Sequence, residues 1–423
     1  MTYRKLPPNW RDIATTAAVR AYNLVVGTLS FVIIARLLGP EGQGTIAAAI
    51  NWTALVATVA GLSLGHVAQH RIQVRRPNAW DGAIFSSLLL LLLVLTLLGY
   101  GIVIAAYFLT SGEFFGGLPP SVLVMAFTLL PLLIWDEYAS NLLAAAGKIG
   151  SYNRIQVLGR TTGLALTVFL VGILNTGIHG ALSASVTGQA IIAAGSLIVL
   201  WRFHKPILRI DFAEIGQLAR GATRLHLNTI GSFLLASSSV LVLNSLSTRA
   251  EVGWYNLAWQ MIMMLAIIPQ AASLVLYANI SADDPNRAWP AHKRITIGVM
   301  AIMVLLVGTA YMIGPSVVVI LAGENFRPSG NLFQILLPAL LGISLAQLMA
   351  PQWITRGIFV PTSLITIATA TMHVAFTVVM VRNSAAAGAA WATALTLGMT
   401  PLIVQGYFSW WCEKKYRRSQ AST

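Results

Sequence analysis

Residues 12–44, DIATTAAVRAYNLVVGTLSFVIIARLLGPEGQG, decide how the rest of the chain is read. The stretch is apolar and exceeds the roughly 20 helical residues that cross a hydrocarbon core. Yet Arg20 sits inside it. Thr16, Arg20, Asn23, Gly27 and Ser30 fall at steps of three and four, which places them on one helical face. Val, Leu, Ile, Ala and Phe fill the other faces. A guanidinium near the bilayer centre costs about 2.5–3.5 kcal/mol on insertion scales, so it normally faces a protein interior or a watery cavity. One reading makes this helix a wall of a hydrated cavity that holds a fixed positive charge. The other lets Arg20 snorkel, since it lies roughly 10–15 Å from the membrane edge at 1.5 Å per residue. The polar stripe favours the cavity.

Composition sets the class. Only 9% of the 423 residues are charged and 57% are hydrophobic, whereas soluble domains carry about 25% charged residues. The chain therefore reads as an all-α integral membrane protein, because its spans are long and lack the alternation of a barrel. The net charge of +14 would suit nucleic acid. Here the basic residues sit in short segments between spans, so topology accounts for them and no nucleic-acid partner is expected. No cleavable signal peptide is expected, because the first apolar segment is too long. Cys412 is the single cysteine, which excludes an intramolecular disulfide and a cysteine metal cluster.

About twelve spans are expected, over 12–38, 43–70, 80–108, 120–146, 153–174, 179–201, 222–247, 252–279, 292–313, 330–353, 358–381 and 386–411. With the N-terminus in the cytoplasm, only Arg36, Arg249, Arg327 and Arg382 fall outside, so both termini are expected to be cytoplasmic. The connection 202–221 reads as a basic interfacial linker helix between an N-terminal six-helix lobe, 1–208, and a C-terminal one, 209–423. An offset of 209 brings Arg11 onto Arg220, Gly44 onto Gly253, Trp80 onto Trp289 and Gly99 onto Gly308, as a parallel pseudo-repeat would. Tryptophans gather at predicted membrane edges, and the tail EKKYRR at 413–418 reads as a basic collar for an anionic leaflet.

Several polar groups lie inside the spans. Asp136 and Glu137 are adjacent in the fourth. Asp136 lies at a depth similar to that of Arg20, so a buried ion pair is open to them. The alternative is a titratable carboxylate that couples a proton or Na⁺ to motion. Arg160 is either a topology charge or a ligand. Arg224 and Asn228 share a face of the seventh span. His66 and His70 stand one turn apart, but no third ligand accompanies them, so no metal site is expected. The amides of Gln334, Gln347 and Gln352 read as packing groups. Asn279-Ile280-Ser281 fits a glycosylation sequon but falls on the inner side. The charges cluster in the inner half of the first lobe, which suits an anionic group entering from the cytoplasm. Phosphate is the natural partner of arginines. There is no phosphate-binding GxxxxGK[ST] loop, no catalytic constellation and no large outer loop, so an enzyme is not expected.

Certain stretches carry a family likeness. Leu38-Gly39-Pro40-Glu41-Gly42-Gln43-Gly44 resembles the loop after the first helix of Wzx-type polysaccharide flippases. Ala322-Gly323-Glu324-Asn325-Phe326, followed by Ile335-Leu336-Leu337-Pro338, is similar as well. Gly388-Ala389-Ala390-Trp391-Ala392-Thr393 resembles the start of that family's last helix. Leu142-Leu143-Ala144-Ala145-Ala146-Gly147 with Tyr152-Asn153 resembles its helix four–five turn. The likeness runs the whole length through order and spacing. The wider superfamily includes lipid II flippases and multidrug (MATE) exporters.

The resemblance implies a V-shaped, multi-pass protein of the bacterial cytoplasmic (inner) membrane that alternates between inward- and outward-facing states. Its cargo would be a polyprenyl-pyrophosphate-linked oligosaccharide moved to the outer leaflet, with other polysaccharide-assembly proteins as further partners. Family members are similar in having basic residues in the cavity, and Arg20 fits. The rest of the site does not carry over by motif. Position alone adds Asn23, Arg160, Arg224 and Asn228 as substrate contacts and Asp136 and Glu137 as coupling groups. No cofactor or metal is implied beyond a coupled Na⁺ or proton. Two rivals stand: a cation-coupled MATE-like exporter using Asp136 or Glu137, and a membrane polysaccharide polymerase or ligase.

Overall fold

A computed structural model of the protein describes residues 10–75, 82–204, 211–281 and 284–421. Trp80 lies outside these, as do the side chains of Arg11, Thr16, Arg224 and Asn279. Among the described residues every regular element is a helix. In order these are α1 (Trp10–Gly61), α2 (Leu64–Arg75), α3 (Gly82–Leu109), α4 (Pro120–Phe127), α5 (Leu129–Ala145), α6 (Ile149–Thr167) and α7 (Gly177–His204). The second half holds α8 (Phe212–Leu246), α9 (Arg249–Leu265), α10 (Ile267–Ser281), α11 (Trp289–Ala322), α12 (Arg327–Thr355), α13 (Phe359–Thr393) and α14 (Thr400–Ala421).

Ten described segments are long and apolar enough to cross a membrane. Two of them, Ala18–Gly61 and Phe359–Gln420, run for 44 and 62 residues, far beyond one bilayer. Each contains a break. Gly39 takes φ 66°, ψ −174° ahead of Pro40, a conformation open to glycine, and Pro40 cannot continue the helix. Ser384 and Ala385 leave helical geometry in α13. Cutting both segments raises ten to the expected twelve.

Other expected spans are interrupted. The span 43–70 breaks at Leu62 and Ser63, both at φ 53°. The span 120–146 breaks at Thr128, between α4 and α5, and 252–279 breaks at Ala266, between α9 and α10. The linker expected over 202–221 is not a separate element among the described residues. α7 runs on through His204, and residues 212–221 are the opening turns of α8. Asp211 starts that helix, its carboxylate accepting the Ala213 and Glu214 amides at 2.9 and 3.2 Å.

Prolines inside membrane helices free a carbonyl one turn back, and in lipid that carbonyl needs a partner. Three such carbonyls are met from neighbouring helices. Tyr100 Oη donates to Phe127 O, freed by Pro131, at 3.1 Å. Gln334 Nε2 donates to Tyr311 O, freed by Pro315, at 2.8 Å. Ser273 Oγ donates to Gln347 O, freed by Pro351, at 2.7 Å. The freed carbonyls are thus satisfied within the packing.

The repeat is visible in the helix boundaries. Moving α12 back by 209 gives 118–146, against 120–145 for α4 with α5. The part of α13 before its break, 359–383, becomes 150–174, against 149–173 for α6 with its terminal π turn. The contact between Pro40–Gly44 and Arg249–Gly253 is reciprocal. A Cβ on Gly44 would overlap the Arg249 carbonyl, and a Cβ on Gly253 would overlap that of Pro40. The same offset relates Pro40 to Arg249 and Gly44 to Gly253, so these two segments meet as two-fold mates do.

By packing, residues 19–253 form one compact unit, and residues 254–423 with 1–18 form another. α8 belongs to the first. It is fastened to α2 by Arg71, whose Nε lies 2.8 Å from Glu214 Oε1 and whose terminal nitrogen donates to Glu214 Oε2 at 2.9 Å. The same nitrogen donates to Gln217 at 2.6 Å. At its other end Asn244 Nδ2 donates to Phe115 O at 2.8 Å.

Candidate functional site

The polar stripe of α1 meets α6 and α7 in the first unit. Arg20 is exposed, and Asn23, one turn on, is half-buried. Asn23 Nδ2 donates to Gln156 Oε1 at 2.9 Å. Gln156 Nε2 donates to the Tyr152 hydroxyl at 2.9 Å, and that hydroxyl donates to Asp136 Oδ1 at 2.7 Å. Every donor in this chain points towards the carboxylate, so each bond polarises the next. The chain crosses three helices, from α1 through α6 to α5, and starts one helical turn from Arg20.

Of the two readings open to Asp136, the ion pair with Arg20 is not formed among the described residues: Asp136 accepts a hydrogen bond from the Tyr152 hydroxyl. Tyr152 and Gln156 were missed by residue-by-residue reading. The signal for them is spacing, because Tyr152, Gln156 and Arg160 are four residues apart and form a polar ladder on α6. Arg160 is exposed and borders a cavity of about 130 Å³ with Gly27, Ser30, Ser185 and Gln189. The lower part of the α1 stripe therefore lines a small polar space between helices. Tyr22 and Thr161 join the same two helices, α1 and α6, their hydroxyls 2.6 Å apart.

Glu137 does something different from its neighbour. The backbone N–H groups of Gly65 and His66 donate to its carboxylate, at the first turn of α2. A carboxylate there satisfies amides that the helix leaves free and meets the positive end of its dipole. Gly65 is required by this approach, because a Cβ would come within 2.8 Å of Glu137 Oε1. Tyr138 Oη meanwhile donates to Gly61 O at 3.0 Å, which caps the end of α1. The adjacent residues Glu137 and Tyr138 thus hold both sides of the break at Leu62–Ser63. Ser63 Oγ ties the same break to α8, donating to Thr229 at 2.9 Å. A second cavity, about 230 Å³, lies here among Ser63, His66, Glu137 and Thr229.

The remaining candidates are not drawn into the chain. Asn228 is half-buried on α8, and the Arg224 side chain lies outside the described residues. His66 approaches Glu137 at 4.0 Å. Among the described residues no group of three His, Cys, Asp or Glu could hold a metal ion. Trp135 anchors α5 to α7, its Nε1 donating to Ala193 O and Ser196 Oγ at 3.0 and 3.1 Å.

A curated relative, the probable low-salt glycan biosynthesis flippase Agl15 of Haloferax volcanii, is 20% identical over 306 residues. The match covers 67% of this chain, and the chain spans about 60% of that relative's length. Among solved structures, the lipid II flippase MurJ in an inward closed conformation is similar at a TM-score of 0.75 and 11% identity, over 92% of this chain and 86% of that one. An inward-facing MATE-family multidrug resistance transporter of the MOP superfamily is similar at 0.71 and 16%, over 96% and 99%. At such identities these two likenesses speak for the fold. The model of the family described as polysaccharide biosynthesis protein matches residues 9–281, well over half of the chain, and the chain belongs to that family.

Proposed function

We propose that this protein is a flippase that carries a polyprenyl-pyrophosphate-linked oligosaccharide from the inner to the outer leaflet of the cytoplasmic membrane by alternating access. The lipid tail can stay in the bilayer while the phosphates and sugars cross, and they need a hydrated, cationic path. The carrying observation is Arg20, an exposed guanidinium inside the first span, one turn from a hydrogen-bond chain that ends on Asp136. Family membership and the name of the archaeal relative support the substrate class. Arg20 is the phosphate contact. Asn23, Arg160, Arg224 and Asn228 are the further substrate contacts by position. Asp136 is the coupling group, because a change at its carboxylate is felt at Asn23 through two intervening side chains. Glu137 acts beside it by holding the α1–α2 break. Both termini lie in the cytoplasm on this reading.

The test is transport of a fluorescent polyprenyl-pyrophosphate glycan in proteoliposomes. Arg20→Ala abolishes flipping and Arg20→Lys keeps part of it. Full activity of the alanine variant removes Arg20 from the mechanism. Asp136 also keeps a cation exporter in play. Melting-temperature shifts separate the two, since a ligand that binds the folded state raises it. A polyprenyl pyrophosphate stabilises a flippase in an Arg20-dependent way, and a lipophilic cation stabilises an exporter.

A further inference from the structure

The second unit contains an apolar groove with a basic rim that the transport reading leaves unused. It measures about 530 Å³ and lies among α12, α13 and α14, within the range of ligand-sized pockets. Its floor is a stack of rings. Trp353 and Phe408 lie 3.7 Å apart at 16°, and Phe408 and Trp411 lie 5.6 Å apart at 15°. Ile358, Ile365 and Ile403 form the walls. The floor is rigid, because Trp353 Nε1 donates to Gln405 at 2.7 Å and Met349 and buried Cys412 pack behind it.

Two cations, Arg356 and Lys415, sit over the Trp411 end of the stack, and Lys414, next to Lys415 in sequence, lies over Trp410, which does not line the groove. Arg356 lies 5.4 Å and Lys415 5.3 Å from the Trp411 ring centre, and Lys414 lies 5.2 Å from that of Trp410. Arg356 is engaged with Gln352 and Asn286 at 3.0 and 2.7 Å. The nearby carboxylate, Glu413, is taken by Trp289, Lys293 and Arg417 at 2.9, 3.1 and 3.0 Å. Lys414 and Lys415 are exposed and keep ammonium donors for an anion, since a ring face engages charge rather than protons.

An apolar slot in a membrane span is bathed in hydrocarbon, and tryptophans with lysines mark the headgroup level. We propose that this groove binds one anionic phospholipid of the leaflet on the C-terminal side, an acyl chain over the ring stack and the phosphate against Lys414 and Lys415. Charge complementarity selects the anion, and bulk phospholipid is the amphiphile present at highest concentration. The site does not depend on what the protein transports.

The test uses the purified full-length protein and two lipids with the same chains, dioleoyl phosphatidylglycerol and dioleoyl phosphatidylcholine. Native mass spectrometry counts the retained lipid, and thermal unfolding measures stabilisation. Retention of phosphatidylglycerol is expected to exceed that of phosphatidylcholine about tenfold, as two lysines near a phosphate allow. The exposed-site double variant Lys414→Gln/Lys415→Gln loses the preference, and Ile365→Trp, which fills the groove, loses the lipid. Arg418→Gln keeps both. Equal retention of the two lipids means annular lipid only and overturns the proposal. So does loss on removing the lysines with none on filling the groove. Displacement of phosphatidylglycerol by equimolar polyprenyl phosphate overturns the assignment to phospholipid.

Discussion

α5 and α6 in the first unit occupy the same repeat positions as α12 and α13 in the second, but their chemistry is opposite. The first pair carries Asp136, Glu137, Tyr152, Gln156 and Arg160. The second pair has no carboxylate at all, and its charges, Arg327, Arg356's neighbourhood apart, and Arg382, lie away from the span centres. Where α6 presents a polar ladder, α13 presents Ile365 to an apolar groove. The repeat therefore keeps helix lengths and the close glycine contact, while the polar groups differ. The α5–α6 pair is organised by charge and directed hydrogen bonds, the groove of α12, α13 and α14 by stacked rings.

That contrast breaks most visibly at Glu214. Its side chain is 4% exposed and that of Arg71 is 17% exposed, so neither charge is well hydrated. Removing one partner of a buried pair costs about 3–5 kcal/mol, because the other charge stays behind. Glu214→Ala is expected to lower the melting temperature more than any other polar substitution described below. Arg71→Met with Glu214→Leu recovers most of the loss, since a packed apolar pair often replaces a buried ion pair without penalty. A small shift for Glu214→Ala would mean that charge does not hold α8 to α2.

The next effect sharpens the functional side. Tyr152→Phe removes the hydroxyl that serves both Gln156 and Asp136. It leaves a half-buried acceptor and donor short of partners, at about 1 kcal/mol. Transport is expected to fall, while stabilisation by polyprenyl pyrophosphate, which reads Arg20, persists. Loss of both together would place Tyr152 in binding rather than in coupling.

How much of this could be read beforehand follows from the range of each interaction. The spans were legible because twenty apolar residues are a local signal. The breaks at Gly39 and at Thr128 carry a nearby glycine or proline. The break at Leu62–Ser63 carries neither at the residues that adopt positive φ, and it exists because Tyr138 and Glu137, more than seventy positions away, cap its two sides. Asn23 and Asp136 were legible as polar residues in apolar helices. Their connection was not, because it passes through Tyr152 and Gln156, and Gln156 is 133 positions from Asn23. The repeat was faint as residue identities and clear as boundaries, since helix lengths survive divergence better than side chains do.

A smaller change tests what the two units share. Both satisfy proline-freed carbonyls from a neighbouring helix, so Tyr100→Phe in the first and Gln334→Leu or Ser273→Ala in the second should cost alike. About 0.6–1 kcal/mol each is expected from thermal unfolding, as for single interhelical hydrogen bonds. A cost confined to one unit would mean that only that unit relies on the device.

The smallest effect concerns an ion pair that looks as good as Arg71–Glu214 on distance alone. Arg327 Nε and its terminal nitrogen meet Glu324 at 2.9 and 3.0 Å, but the side chains are 73% and 66% exposed. Water competes for both groups and salt screens them, so the attraction does little for the folded state. Glu324→Gln is expected to leave the melting temperature unchanged within error, at low and at high salt. The stretch Ala322–Phe326 matters through other residues. Gly323 turns the chain at φ 93°, and Phe326 is fully buried, so Phe326→Ala should cost the several kcal/mol of a core cavity. A loss in Glu324→Gln comparable to that in Glu214→Ala would show that charge organises the second unit as well, and the contrast between the two would fail.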